Sequence, residues 1–120
     1  MKWITLISDE FLTFQRIRAM KHTGAVRAYD ADIIENRYCV EYPDGHIFYD
    51  YGTDLYDWQD DFIKIPFSAS VVITIIYTNA ANVRKELSLL DLPQNVYVDN
   101  GYGVLLSLKE YIKAGMPMEE

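Results

Sequence analysis

"RYCVEYPDGHIFYDY", residues 37–51, decides how the chain is read. Two alternating runs flank Pro43-Asp44-Gly45, and Asp-Gly is the strongest short-range hairpin signal. With Asp44-Gly45 as the turn, Tyr42 is expected opposite Ile47, Val40 opposite Tyr49 and Tyr38 opposite Tyr51, which turns one aromatic–aliphatic face toward a core. The other face then carries Cys39, Glu41, His46, Phe48 and Asp50, with Cys39 opposite Asp50. A slip of register would change these partners.

Elements on either side extend the hairpin into a domain. "SVVITIIY" (70–77) is apolar on both faces and rich in β-branched residues, the pattern of a central strand. A helix over 80–90 follows, capped by Thr78 or Asn79, with Val83, Leu87 and Leu90 as its buried stripe and Pro93 beyond its end. "NVYV" (95–98) reads as a strand ended by the turn "DNGYG", so strand, helix and strand make a right-handed βαβ unit. Upstream, Ser8 is expected to cap a helix over 8–22 with Asp9 and Glu10 in its first turn. Phe11, Phe14, Ile17 and Met20 form its stripe, and Thr23-Gly24 ends it. Ser107 with Glu110 forms a capping box, Gly115 and Pro117 mark the matching stop, and 115–120 is expected to be a loose tail. The expected fold is a single α+β domain over 1–120. Its sheet is mixed but mainly antiparallel, of about five strands, with strands near 62–66, 95–99 and 103–106 beside the hairpin and 71–77. Two main helices and a short C-terminal helix accompany it.

Bulk composition narrows the function classes. Half of the 120 residues are hydrophobic and 14% aromatic, which argues for a packed core rather than disorder. A lone cysteine, Cys39, forms no internal disulfide and no C-x-x-C site. "MKWITLIS" opens like a signal peptide, but its apolar run stops at Ser8-Asp9-Glu10, and no run reaches a membrane-span length, so a cytoplasmic location is expected. Net charge is −7 and unevenly spread. Residues 28–61 hold ten acidic groups against Arg37 alone, whereas residues 1–27 hold five basic groups against two acidic. Nucleic acid and anionic membrane both need a cationic footprint, so neither is an expected partner. An acidic block attracts a basic protein or a cation.

No motif points to catalysis. An EF-hand frame begun at Asp50 or at Asp54 fails on spacing and lacks the glycine at its sixth position, and no carboxylate pair stands out for a two-metal site, so no metal and no cofactor are expected. Cys39 and His46 share a hairpin face but lie several positions apart, so a nucleophile–base pair is not expected, and no catalytic residue is assigned. "NGYG" (100–103) follows no phosphate-loop spacing and reads as a turn. The enzyme or ligand-binding alternative is a pocket near Asn79 and Tyr97, at the C-terminal end of the 71–77 strand.

The distinctive feature is "TDLYDWQDD" (53–61), which lies outside the hairpin alternation. Asp54, Asp57, Asp60 and Asp61 supply field to steer a basic partner, and Tyr56 and Trp58 supply rigid contact area. "YCVEYPDGHIFYDY", "IPFSASVVITIIY" and "LPQNVYVDNGYG" resemble segments of small acidic α+β bacterial proteins, among them immunity proteins paired with secreted toxins. The resemblance spans about residues 36–114 and carries no functional residue over. It implies a non-catalytic inhibitor that covers the working surface of a basic toxin.

Overall fold

A computed structural model describes residues 2–53, 64–89 and 95–120. Its strands are β1 (Lys2–Ser8), β2 (Arg27–Asp30), β3 (Arg37–Tyr42), β4 (Gly45–Gly52), β5 (Val71–Tyr77), β6 (Val96–Asp99) and β7 (Leu105–Ser107). Its helices are α1 (Phe14–Ala19), α2 (Ala80–Leu89) and α3 (Leu108–Lys113). The seven strands form one sheet in the order β2-β3-β4-β5-β1-β6-β7, and every neighbouring pair is antiparallel. The fold is thus α+β as expected, but its sheet is larger than five strands and not mixed.

The largest departure is at the N-terminal end. "KWITLIS" is strand β1, paired with β5 along its whole length and with β6 over Thr5–Ser8. Its period is two. Ile4 and Leu6 enter the main core, and Ile7 enters a second, smaller core on the other face. Ser8 therefore ends a strand rather than capping a helix. Asp9 makes the turn, accepting from the Phe11 N–H (3.1 Å) and from Asn95 Nδ2 (2.8 Å). The helix expected over 8–22 shrinks to α1, capped by Thr13, whose Oγ1 accepts from the Arg16 N–H at 3.2 Å.

β1 also splits the βαβ unit. β5 and β6 are parallel, as the crossover through α2 requires, but β1 lies antiparallel between them. The hairpin keeps its predicted faces and changes its register by two residues: Val40 faces Ile47, Tyr38 faces Tyr49 and Cys39 faces Phe48. The two turn residues are Pro43 and Asp44, and Gly45 opens β4 opposite Tyr42. Gly45 is needed for close approach, since a Cβ there would lie 2.3 Å from Thr78 Oγ1. That hydroxyl accepts the His46 N–H at 2.9 Å and ties the hairpin to the end of β5.

α1, α2 and α3 cover one face of the sheet, where Leu12, Ile17, Val83, Leu87 and Tyr111 meet Ile4, Val40, Ile47, Tyr49, Ile73 and Ile75. Leu90, expected in the α2 stripe, lies outside the described residues. On the opposite face, Ile65 packs on Ile7 and Val72, with Phe67 and Ala69 alongside. Of the strand expected near 62–66, residues 62 and 63 lie outside the described residues, and 64–66 form no strand. α3 begins at the predicted cap, with the Glu110 N–H on Ser107 Oγ at 3.2 Å. Residues 115–120, expected as a loose tail, lie against the body. Pro117 O accepts from Asn100 Nδ2 (3.1 Å) and Tyr111 Oη (2.6 Å), Glu119 O accepts from Tyr77 Oη (2.7 Å), and Met116 and Met118 pack on the core. Among the described residues no helix is long and apolar enough to cross a membrane.

Gly45→Ala is expected to destabilise the fold by about 1–3 kcal/mol, the usual penalty for an overpacked site, seen as a lower urea midpoint at unchanged slope. Adding Thr78→Ala removes the clashing hydroxyl and should recover part of that loss.

Candidate functional site

The described structure concentrates its chemistry in two places, one closed and one open. The closed one lies under α2. Glu86 sits on the same helical face as Val83 and Leu87, and its side chain is almost completely buried. Its Oε1 accepts from Tyr49 Oη at 3.0 Å and meets His22 Nδ1 at 2.5 Å. His22 Nε2 lies 3.1 Å from Ile17 O. Both ring nitrogens thus face oxygen atoms of the protein. A catalytic His–Glu pair keeps its second nitrogen for a nucleophile or substrate. Here a backbone carbonyl occupies that nitrogen, and the pair acts as an internal tie between the α1–β2 connection and α2. Sequence reading placed His22 at a helix end and passed over Glu86, because a single glutamate on an amphipathic helix looks solvent-facing until the sheet beneath it is known.

The tyrosines around this tie keep their protons. Burial, and then the field of the Glu86 carboxylate, pushes the Tyr49 hydroxyl well above its ordinary range. Tyr42 is raised by the same causes, and its hydroxyl finds no hydrogen-bond partner among the described residues. Near the start of α2, burial is the main cause that raises Tyr77 and Tyr111 to about 12 each. Glu119 adds to the shift of Tyr77, and Arg84 opposes both shifts.

Among the described residues, the side of the hairpin turned away from α1, α2 and α3 carries paired charges. Arg37 grips Asp50 with two contacts of 2.6 and 2.7 Å and lies over the Phe48 ring. Arg27 pairs with Glu41 at 2.9 Å, and His46 stacks on Phe48 with centroids 4.5 Å apart. Cys39 is buried among them, and burial raises its thiol, which opposes the thiolate form that nucleophilic chemistry needs. The structure does not bring Asn79 and Tyr97 together. Asn79 sits beyond the C-terminal end of β5, with Oδ1 on the Ala81 N–H and Nδ2 on Asp44. Tyr97 faces Ile7, which in turn faces Val72 near the start of β5.

The open place is the end of the sheet where β1, β2 and β4 finish and β3 and β5 begin. The loop 31–36 between β2 and β3 carries Asp32, Ile33, Ile34 and Glu35, all exposed, with Ile33 at 95%. Asn36, in the left-handed region at φ 59°, turns the chain into β3, and its carbonyl accepts the Tyr51 N–H at 2.9 Å. That bond fixes the loop against the last turn of β4, from which the chain leaves at Thr53. Phe11, 61% exposed, and Glu10 follow β1 at the same end. The predicted contact residues Asp54, Tyr56, Asp57, Trp58, Asp60 and Asp61 lie outside the described residues. Ile33 and Ile34 were missed in the sequence, although "DIIE" carried a signal: two large apolar residues bracketed by acids, outside any periodic run.

No protein-family model, curated protein or solved structure matches the chain.

Removing one partner of the buried tie strands the other, so Glu86→Ala is expected to cost about 3–5 kcal/mol. His22→Leu with Glu86→Leu should cost clearly less than the sum of the single changes in a denaturation double-mutant cycle. A second expectation concerns alkaline pH. Tyr77 and Tyr111 hold their protons to about 12 in the fold, whereas the unfolded chain releases them near ~10. Between those values the native state binds more protons, so stability is intact below that window and falls as pH rises through it. Tyr77→Phe and Tyr111→Phe should flatten that fall in urea midpoints measured across the window.

Proposed function

We propose that this chain is a non-catalytic protein-binding domain with a basic partner, and that a cytoplasmic immunity protein neutralising a basic bacterial toxin is its concrete form. The observation that carries this reading is the exposed Ile33–Ile34 pair between Asp32 and Glu35, held at the sheet end where β4 finishes. Exposed apolar area rimmed by charge is the usual composition of a recognition surface.

Charge use within the fold supports the same reading. Asp30 pairs with Arg18, Glu41 with Arg27 and Asp50 with Arg37, while Asp44 takes the amides of Asn79 and Asn82. Those acids are engaged internally. Asp32 and Glu35 form no ion pair among the described residues, and the sequence adds Asp54, Asp57, Asp60 and Asp61 to the acidic excess. In this reading the carboxylates raise the rate of encounter with a basic surface, and Ile33, Ile34, Tyr56 and Trp58 hold it after contact.

Two variants test the proposal by affinity capture from the native host at graded salt. Asp→Asn at 54, 57, 60 and 61 is expected to lower recovery of a basic protein and to flatten the dependence of recovery on salt. Ile33→Ser with Ile34→Ser is expected to lower recovery at every salt concentration. Unchanged recovery and unchanged salt dependence in both would overturn the reading.

A further inference from the structure

We infer that a pocket at the opposite end of the sheet binds an organic cation, an alkylammonium or guanidinium group. Trp3, Asn100, Gly101, Tyr102 and Glu119 line a hollow of about 160 Å³. Drug-sized ligands occupy roughly 300–1,000 Å³, so this hollow suits a single head group. Trp3 is 44% exposed and Tyr102 71%, an unusual allowance for two large aromatics beside a packed core. Among the described residues no lysine, arginine or histidine forms an ion pair with Glu119, whose Oε2 accepts from Tyr102 Oη at 3.3 Å. Two cations near this end are engaged elsewhere, and Lys64 lines a neighbouring hollow with Asp99 and Gly101. Arg84 pairs with Glu120 at 2.6 Å, and Lys2 donates to the carbonyls of Thr78 and Glu120.

The pocket is built before any ligand arrives. Asn100, itself buried, accepts the N–H groups of Tyr102 (2.9 Å) and Val104 (3.2 Å) and donates to Pro117 O. Asp99 Oδ1 accepts the Gly101 N–H at 2.8 Å. Gly101 takes φ 77°, and a Cβ there would stand 3.1 Å from Trp3 Cη2, so glycine lets the indole edge settle against the loop. The loop and the tail segment are therefore locked together, with two aromatic rings and one carboxylate lining a small space. That set attracts a cation twice, through the ring quadrupoles and through the carboxylate, and repels anions. Little ordering remains to oppose binding. β1 spans from Trp3 here to Ser8 at the other end, roughly 17 Å of strand, so this site stands or falls apart from the surface proposed above.

The test is a titration of the full chain followed by NMR, reading the Trp3 indole N–H and the Gly101 amide. Methylguanidinium chloride and tetramethylammonium chloride supply the free cation. A Gly-Ser peptide with one internal arginine, and one with lysine, both with blocked termini, supply the side chain. Saturable shifts with a dissociation constant on the order of 1 mM, about −4 kcal/mol, are expected, with none from sodium chloride at equal strength. Tighter binding of the peptides would assign the site to a protein side chain, and tighter binding of the free salts to a small metabolite. Glu119→Gln and Tyr102→Leu, both at exposed positions, should each weaken binding by about threefold or more. No saturable shift with any of the four cations, or equal shifts in both variants, would overturn the inference.

Discussion

Strand β1 is the constraint on which the rest depends. It pairs with β5 on one side and β6 on the other, so the backbone groups of Thr5–Ser8 find partners on both edges. Without it, β6 and β7 would have no sheet to join, and β5 would expose an edge of β-branched residues. The same strand supplies Ile4 and Leu6 to the main core and Ile7 to the second. Burying each such side chain is worth about 1.5–3 kcal/mol. Its partners lie 63 to 94 positions away in sequence, so this central pairing is among the least local in the fold.

Around that sheet the polar residues are used economically. Glu86 and His22 tie α2 to the stretch after α1 from inside the core, a pair that neither could leave without stranding the other. Asp44, Asn79 and Asn82 tie the hairpin turn to the start of α2, and Arg84 and Tyr77 tie the tail to the body beside it. These ties leave the loop 31–36 at one end of the sheet and the Trp3–Tyr102 hollow at the other without internal use. The two surfaces are chemically distinct: an apolar tip between carboxylates suits a basic protein face, and an aromatic pocket with one carboxylate suits a single cationic group.

Much of the architecture was legible in residues 37–51, 70–89 and 95–115, where local rules agree with the tertiary result. The hairpin faces, the central strand β5, the helix α2 and the Ser107 cap all follow from period and capping chemistry. The acidic excess of residues 28–61 was equally legible, since charge needs no fold to be counted. "KWITLIS" was not. Seven residues, apolar but for Lys2, Thr5 and Ser8, fit a leader-like run as well as a strand, and only two partners far along the chain distinguish them. The two-residue hairpin shift escaped for a related reason: Pro43-Asp44 and Asp44-Gly45 are both acceptable turns, and the choice rests on the contact between Gly45 and Thr78.

By itself the sequence determined an α+β domain with a paired hairpin, one strand apolar on both faces and a concentrated negative charge, because period, turn chemistry and charge are local properties. Tertiary structure alone decided that β1 lies between β5 and β6, that Glu86 is internal, that Ile33 and Ile34 are exposed, and that residues 115–120 close a pocket over Trp3. Each of these depends on which distant segment lies alongside, and burial and pairing are properties of neighbours rather than of residues.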